Sequence, residues 1–196
     1  MSVIDSLIYD RTQEDVERVK SLKQKIMLDG LDSLSAEEKN EYLSGMRGAY
    51  NYTDLNRVGS AVNFIKDKMV SFPSEFESYM KEKNVATSPY YKISYDPEII
   101  NVSAKTDWTV YDIPTMIQMD QYLNNINVLR SVLPLPSDTP PTPTSMNYLG
   151  IYNANVIEQI LKITDDTFES YKKSMYAKVD NTVAAWSYCG ETLCGE

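Results

Sequence analysis

Apolar side chains at Leu55, Val58, Val62, Ile65 and Met69 recur in steps of three and four. Those steps place all five on one stripe of an α-helix. Thr53 ahead of them is a fitting N-cap, because its hydroxyl can accept from a free backbone N–H at the helix start. Gly48 and the Asn51–Tyr52 pair read as a turn. The stretch 47–69 is therefore a turn that feeds a helix with one buried face, and the rest of the chain is read outward from it.

Met1–Tyr9 is short and apolar and suits a strand or a docking arm. Thr12-x-x-Asp15 is a capping-box pattern that opens a helix to about Leu28, closed by Asp29–Gly30. Ser35-x-x-Glu38 is a second box, opening a shorter helix that ends near Gly48. Phe72–Pro73 is expected to break the long helix, with a further helical piece over Ser74–Asn84. Tyr90–Tyr95 alternates and is aromatic, which favours a strand; Ile99–Val102 and Trp108–Ile113 are also strand-like. Pro114–Thr115 begins a helix to about Val132, stopped by Pro134 and Pro136. Prolines through Leu133–Ser145 make an extended connector that returns the next helix, Leu149 to about Met175. Val179–Tyr188 is β-prone, and Gly190–Glu191 reads as the turn of a terminal hairpin.

The expected fold is mainly α: a helical hub of about five helices with short β-strands and a β-prone C-terminal arm. It divides into a helical segment 1–70, a mixed helix/strand connector 71–112, a helical hairpin 113–175 with a Pro-rich loop, and the arm 176–196. A chain of 196 residues makes this one compact domain with arms.

Composition narrows the chemistry. There is no histidine, which removes Ser–His and Cys–His nucleophile pairs, imidazole acid–base catalysis and His metal sites. No enzyme motif and no cofactor or metal site is expected. A net charge of −9 argues against nucleic acid and anionic membrane surfaces as partners. No apolar run is long enough to span a bilayer, and the N-terminus carries Asp5 inside its apolar part, unlike a signal peptide. The chain is expected to be made in a cytoplasm. Fifteen tyrosines suit half-buried contact surface.

Cys189 and Cys194 lie in C-x4-C without further ligands, so plain thiols of a terminal strand are favoured over zinc or a hairpin disulfide. Asp165–Asp166 and Glu37–Glu38 read as solvated acidic positions, not an acid–base pair. Trp108, Trp186 and Tyr188 sit in strand-like segments. They are core or interface anchors, or an exposed platform for carbohydrate.

Two blocks, DRTQEDVERVKSL (Asp10–Leu22) and SAEEKNEYLSGMRGAYNYTDLNRVGSAVNFI (Ser35–Ile65), carry a resemblance. They are similar to phage and prophage structural proteins of Gram-positive bacteria, where a DRTxxDV run precedes an EYL-x-G block ending in GAYN-x-[TS]-DLNRV. Asp107–Leu133, Pro140–Leu161 and the closing Trp186-Ser-Tyr-Cys-Gly-Glu also resemble these proteins. Cysteine before each Gly-Glu, where serine is more usual, is a departure. The resemblance implies a virion component of the tail, in the baseplate or fibre-attachment region, that works by assembly with other phage tail proteins and as a homo-oligomer. The alternative is a carbohydrate-binding adhesion module of the same tail. Within the block, Tyr50, Asn51, Asp54, Asn56 and Arg57 are expected to form a structural polar cluster or an interface patch. Arg57 would pair with Asp54 or a helix end, and Asn56 would hold a turn.

Overall fold

The computed structural model describes residues 2–85, 97–147 and 149–192, the last stretch with side chains as far as Ala184. Five α-helices are present among them: α1 (Gln13–Asp29), α2 (Ala36–Leu43), α3 (Tyr52–Glu82), α4 (Met116–Ser131) and α5 (Ile151–Thr192). Thr12, Ser35, Asn51 and Thr115 each close a reciprocal capping box at the head of α1, α2, α3 and α4. In each, the cap side chain accepts from a backbone N–H that the helix leaves free, and the residue three further on reaches back.

The core lies where α3, α4 and α5 pack together. Val58, Val62, Ile65 and Met69 of α3 face Ile126 and Leu129 of α4 and Ile157, Ile160, Leu161 and Phe168 of α5. A 3-10 turn at Val3–Ser6 seats Ile4 and Leu7 against the same core. Helices α1 and α2 form a side lobe with its own small cluster of Val19, Leu22, Leu34 and Met46. The lobe seats at Gly48, where an added Cβ would lie 2.1 Å from the Asp15 carbonyl oxygen, so only glycine allows this approach.

The strand expectations fail. No strand is present among the described residues. Val179–Tyr188, expected as a β-prone arm, continues α5, which runs 42 residues to Thr192, about 60 Å. The reason is packing: Phe168, Met175 and Val179 are buried at helical spacing against the core, and Val183 packs on it. That stripe overrides the strand preference of the β-branched and aromatic residues. Trp186, Tyr188 and Cys189 fall within the helical span, and so does Gly190–Glu191, the expected hairpin turn; Cys194 lies outside the described residues. Tyr90–Tyr95 lies outside them too.

Pro73 does not end the helix either. α3 passes through it and through the expected boundary at residue 70, and it is capped by Asn51 in place of Thr53. A proline in a helix interior costs about 3 kcal/mol. Here Phe72 and Phe76 hold both sides of it in an aromatic cluster with Phe168, Tyr171 and Tyr176, at ring separations of 5.6–6.1 Å.

Ile99–Val102 begins as a 3-10 turn, Pro97–Asn101, and Trp108–Ile113 ends an extended strap and turns into α4. The strap runs across α3 without pairing to a strand, because side chains take its backbone groups. The Asn63 amide donates to Ala104 O and accepts from Ala104 N–H, both at 2.9 Å. Asn56 clasps Trp108 the same way, at 2.8 and 2.7 Å. Gly59 lies between the two clasps on one helix face, and a Cβ there would meet Lys105 O at 2.4 Å.

Candidate functional site: a buried ion cluster and an exposed apolar hook

Glu158 is fully buried on α5, inside the apolar run Val156, Ile157, Ile160 and Leu161. A carboxylate there must be paired. Arg57 of α3 meets it through two nitrogens, Nε to Oε2 at 2.9 Å and Nη2 to Oε1 at 2.8 Å. Arg11, on the segment before α1, donates to Glu158 Oε1 at 2.5 Å and to Asp54 Oδ1 at 2.8 Å. Arg57 also donates to Asp54, and the Ile8 N–H donates to Glu158 Oε2 at 2.6 Å. Asn155, one turn before Glu158, clasps Arg11 by both backbone groups at 3.0 Å. Two cations thus face two anions, with no net charge left in the cluster.

Burial works against the charge on Arg11 and Arg57, but Glu158 and Asp54 outweigh it and raise both guanidinium pKa values. Neither arginine titrates, so neither can serve as an acid or base. Tyr50 lies below Arg11, whose guanidinium carbon is 5.5 Å from the ring centre, and its hydroxyl meets Tyr122 Oη at 2.5 Å. Burial pushes both phenols above their usual range.

Of the polar cluster expected from the sequence, Tyr50, Asn51, Asp54 and Arg57 gather at the head of α3. Asn51 caps the helix, and its N–H donates to Asp54 Oδ2 at 2.8 Å. Asn56 holds the strap at Trp108 instead. Arg11, Glu158, Asn155 and Gly59 were not singled out. A charge interrupting the apolar run at 156–161 was the available signal for Glu158. Arg11, the Asp54–Arg57 pair and Glu158 come from three separate stretches of the chain and meet in one place.

Trp108 is buried, so its ring is not exposed as a stacking platform. The side chains of Trp186 and Tyr188 lie outside the described residues.

The outward-facing counterpart is the turn after the strap. Every residue from Thr109 to Gln118 is exposed. Tyr111, Ile113 and Ile117 stand 91%, 88% and 82% exposed, with Val110 and Met116 beside them. The turn is internally braced. Asp112 accepts from Thr109 N–H at 2.6 Å and from its hydroxyl at 3.0 Å, and Asp112 N–H returns to Thr109 O at 3.1 Å. These bonds hold the Asp112 carboxyl below its usual range. Pro114 and the capping box of Thr115 with Gln118 fix the exit into α4. The result is a braced apolar hook. Behind it opens a cleft of about 430 Å³, lined by Tyr52, Leu55, Trp108, Met119, Met146 and Leu149.

No group of acidic or cysteine side chains among the described residues is arranged to hold a metal. No described helix is long and apolar enough to cross a membrane. No protein family, curated protein or solved structure matches the chain.

Proposed function

We propose that this chain is a structural component of a phage or prophage-derived tail, at the baseplate or fibre-attachment region, acting through assembly with other tail proteins. It would be synthesised in the host bacterium and carried in the virion. The hook carries the reading. A braced turn that holds Val110, Tyr111, Ile113, Met116 and Ile117 in water is costly for an isolated domain and useful for a docking one. Because it is already ordered, a partner loses little entropy in capturing it. The sequence resemblance supports the same reading, since its distinctive polar residues build the ion cluster that supports the scaffold.

The test is purification with the proteins of neighbouring tail genes, followed by light scattering on a size-exclusion column and mass spectrometry of intact particles. A stable complex, or the chain in purified tails, is expected. A chain that ignores every tail protein and is retained on host cell walls would overturn the assembly reading and favour carbohydrate adhesion.

A further inference from the structure

The hook and the cleft behind it share one face, and the hook's own Val110 and Pro114 form a wall of the cleft. A projection and a hollow side by side are what a two-fold interface needs, since each copy then offers to its partner what it receives. We propose that the hook of one copy enters the cleft of a second copy of this chain, with Tyr111 and Ile113 set against Met146 and Leu149 of the partner subunit. The proposal rests on the assembly reading and names the first contact in it.

Charge favours a second copy as the occupant. The chain carries −9, so most of its surface repels a like molecule. From Ile113 to Met119 there is no charged residue, and Asp112 is turned back onto Thr109. The cleft lining carries a single carboxylate, Asp112, which is hydrogen-bonded to Thr109 and 3.9 Å from the Lys105 ammonium, so two copies meet less repulsion here than over the rest of the acidic surface. Area agrees: five such side chains expose on the order of 500 Å². That is more than half of the ~800 Å² per partner of a standard interface.

The experiment is sedimentation equilibrium of the full chain at low and high salt, with wild type and Ile113→Asp. Ile113 is exposed, so the substitution leaves folding intact, and unchanged helical circular dichroism and melting check this. Wild type is expected to be a dimer that tightens with added salt, as screening relieves the repulsion of two acidic bodies. Ile113→Asp is expected to weaken it about thirtyfold or more, the loss typical of a central anchor. A photoreactive phenylalanine analogue at position 111 is expected to crosslink to Met146 or Leu149 of the partner subunit.

A monomeric wild type, a dimer indifferent to Ile113→Asp, or crosslinks only elsewhere would overturn the proposal. A monomer whose Ile113→Asp form no longer enters tails would mean the hook grips a different protein: this inference falls and the assembly reading stands. A hook-dependent dimer that never appears in tails would do the reverse.

Discussion

Arg57 and Glu158 lie 101 positions apart in the chain and meet through two parallel hydrogen bonds, of 2.9 and 2.8 Å. This fork ties α3 to α5 inside the core, and Arg11 extends it to the N-terminal segment. Removing one member leaves the buried cluster with one uncompensated charge; breaking a buried ion pair typically costs about 3–5 kcal/mol. Glu158→Gln is therefore expected to lower unfolding stability by about 3 kcal/mol or more in urea titrations. Arg57→Ala should cost about as much, and the double variant less than the sum. An Arg57→Ala chain that melts like wild type would rule out a structural role for the fork.

The strap depends on the spacing Asn56, Gly59, Asn63 along α3. Gly59→Ala would press a Cβ against the Lys105 carbonyl, 2.4 Å away, and the strap must lift. The expected cost is about 1–3 kcal/mol. Hydrogen exchange at the Ala104 and Trp108 amides should quicken while the α5 core stays protected. Asn56→Ala should quicken Trp108 alone. Unchanged exchange in both variants would mean the clasps do not hold the strap.

Phe72 contacts Phe76, Phe168, Tyr171 and Tyr176 around the proline of α3. Phe72→Ala is expected to cost about 3–5 kcal/mol. Because Pro73 weakens the helix there, residues 74–82 should lose exchange protection before 53–68. Uniform loss along α3 would show that the aromatic cluster is not what carries the helix past Pro73.

Alkali should unfold the protein in a defined window. Tyr79 is held up to about 12 by its hydrogen bond to Asp180 and by burial, and burial raises Tyr50 and Tyr122 as well. A phenol that keeps its proton longer in the folded chain contributes stability that is complete below the unfolded value, about pH 10. That stability is lost as pH rises through 12. Stability in denaturant is thus expected to fall above pH 10, and phenolate absorbance should show these tyrosines ionising late. Tyr79→Phe should flatten the part of the decline that ends near pH 12.

Local sequence determined the starts of α1 and α2 and the mainly helical character. Thr12 and Ser35 are capping residues readable within four positions, and the Leu55–Met69 stripe is readable by its period. Those signals act over one or two turns of chain. Distant packing decided the rest. Local propensity opposes helix at Pro73 and over Val179–Tyr188, but burial against Phe168, Tyr171 and Tyr176 outweighs it at Pro73 and the buried stripe of α5 does so at Val179. The strand-like pieces at 99–113 became a strap because asparagines of a remote helix satisfy the backbone groups a sheet would have taken. Arg11, Asp54, Arg57 and Glu158 acquire meaning only together, since a charge buried in an apolar core is tolerable only where the fold delivers its partner.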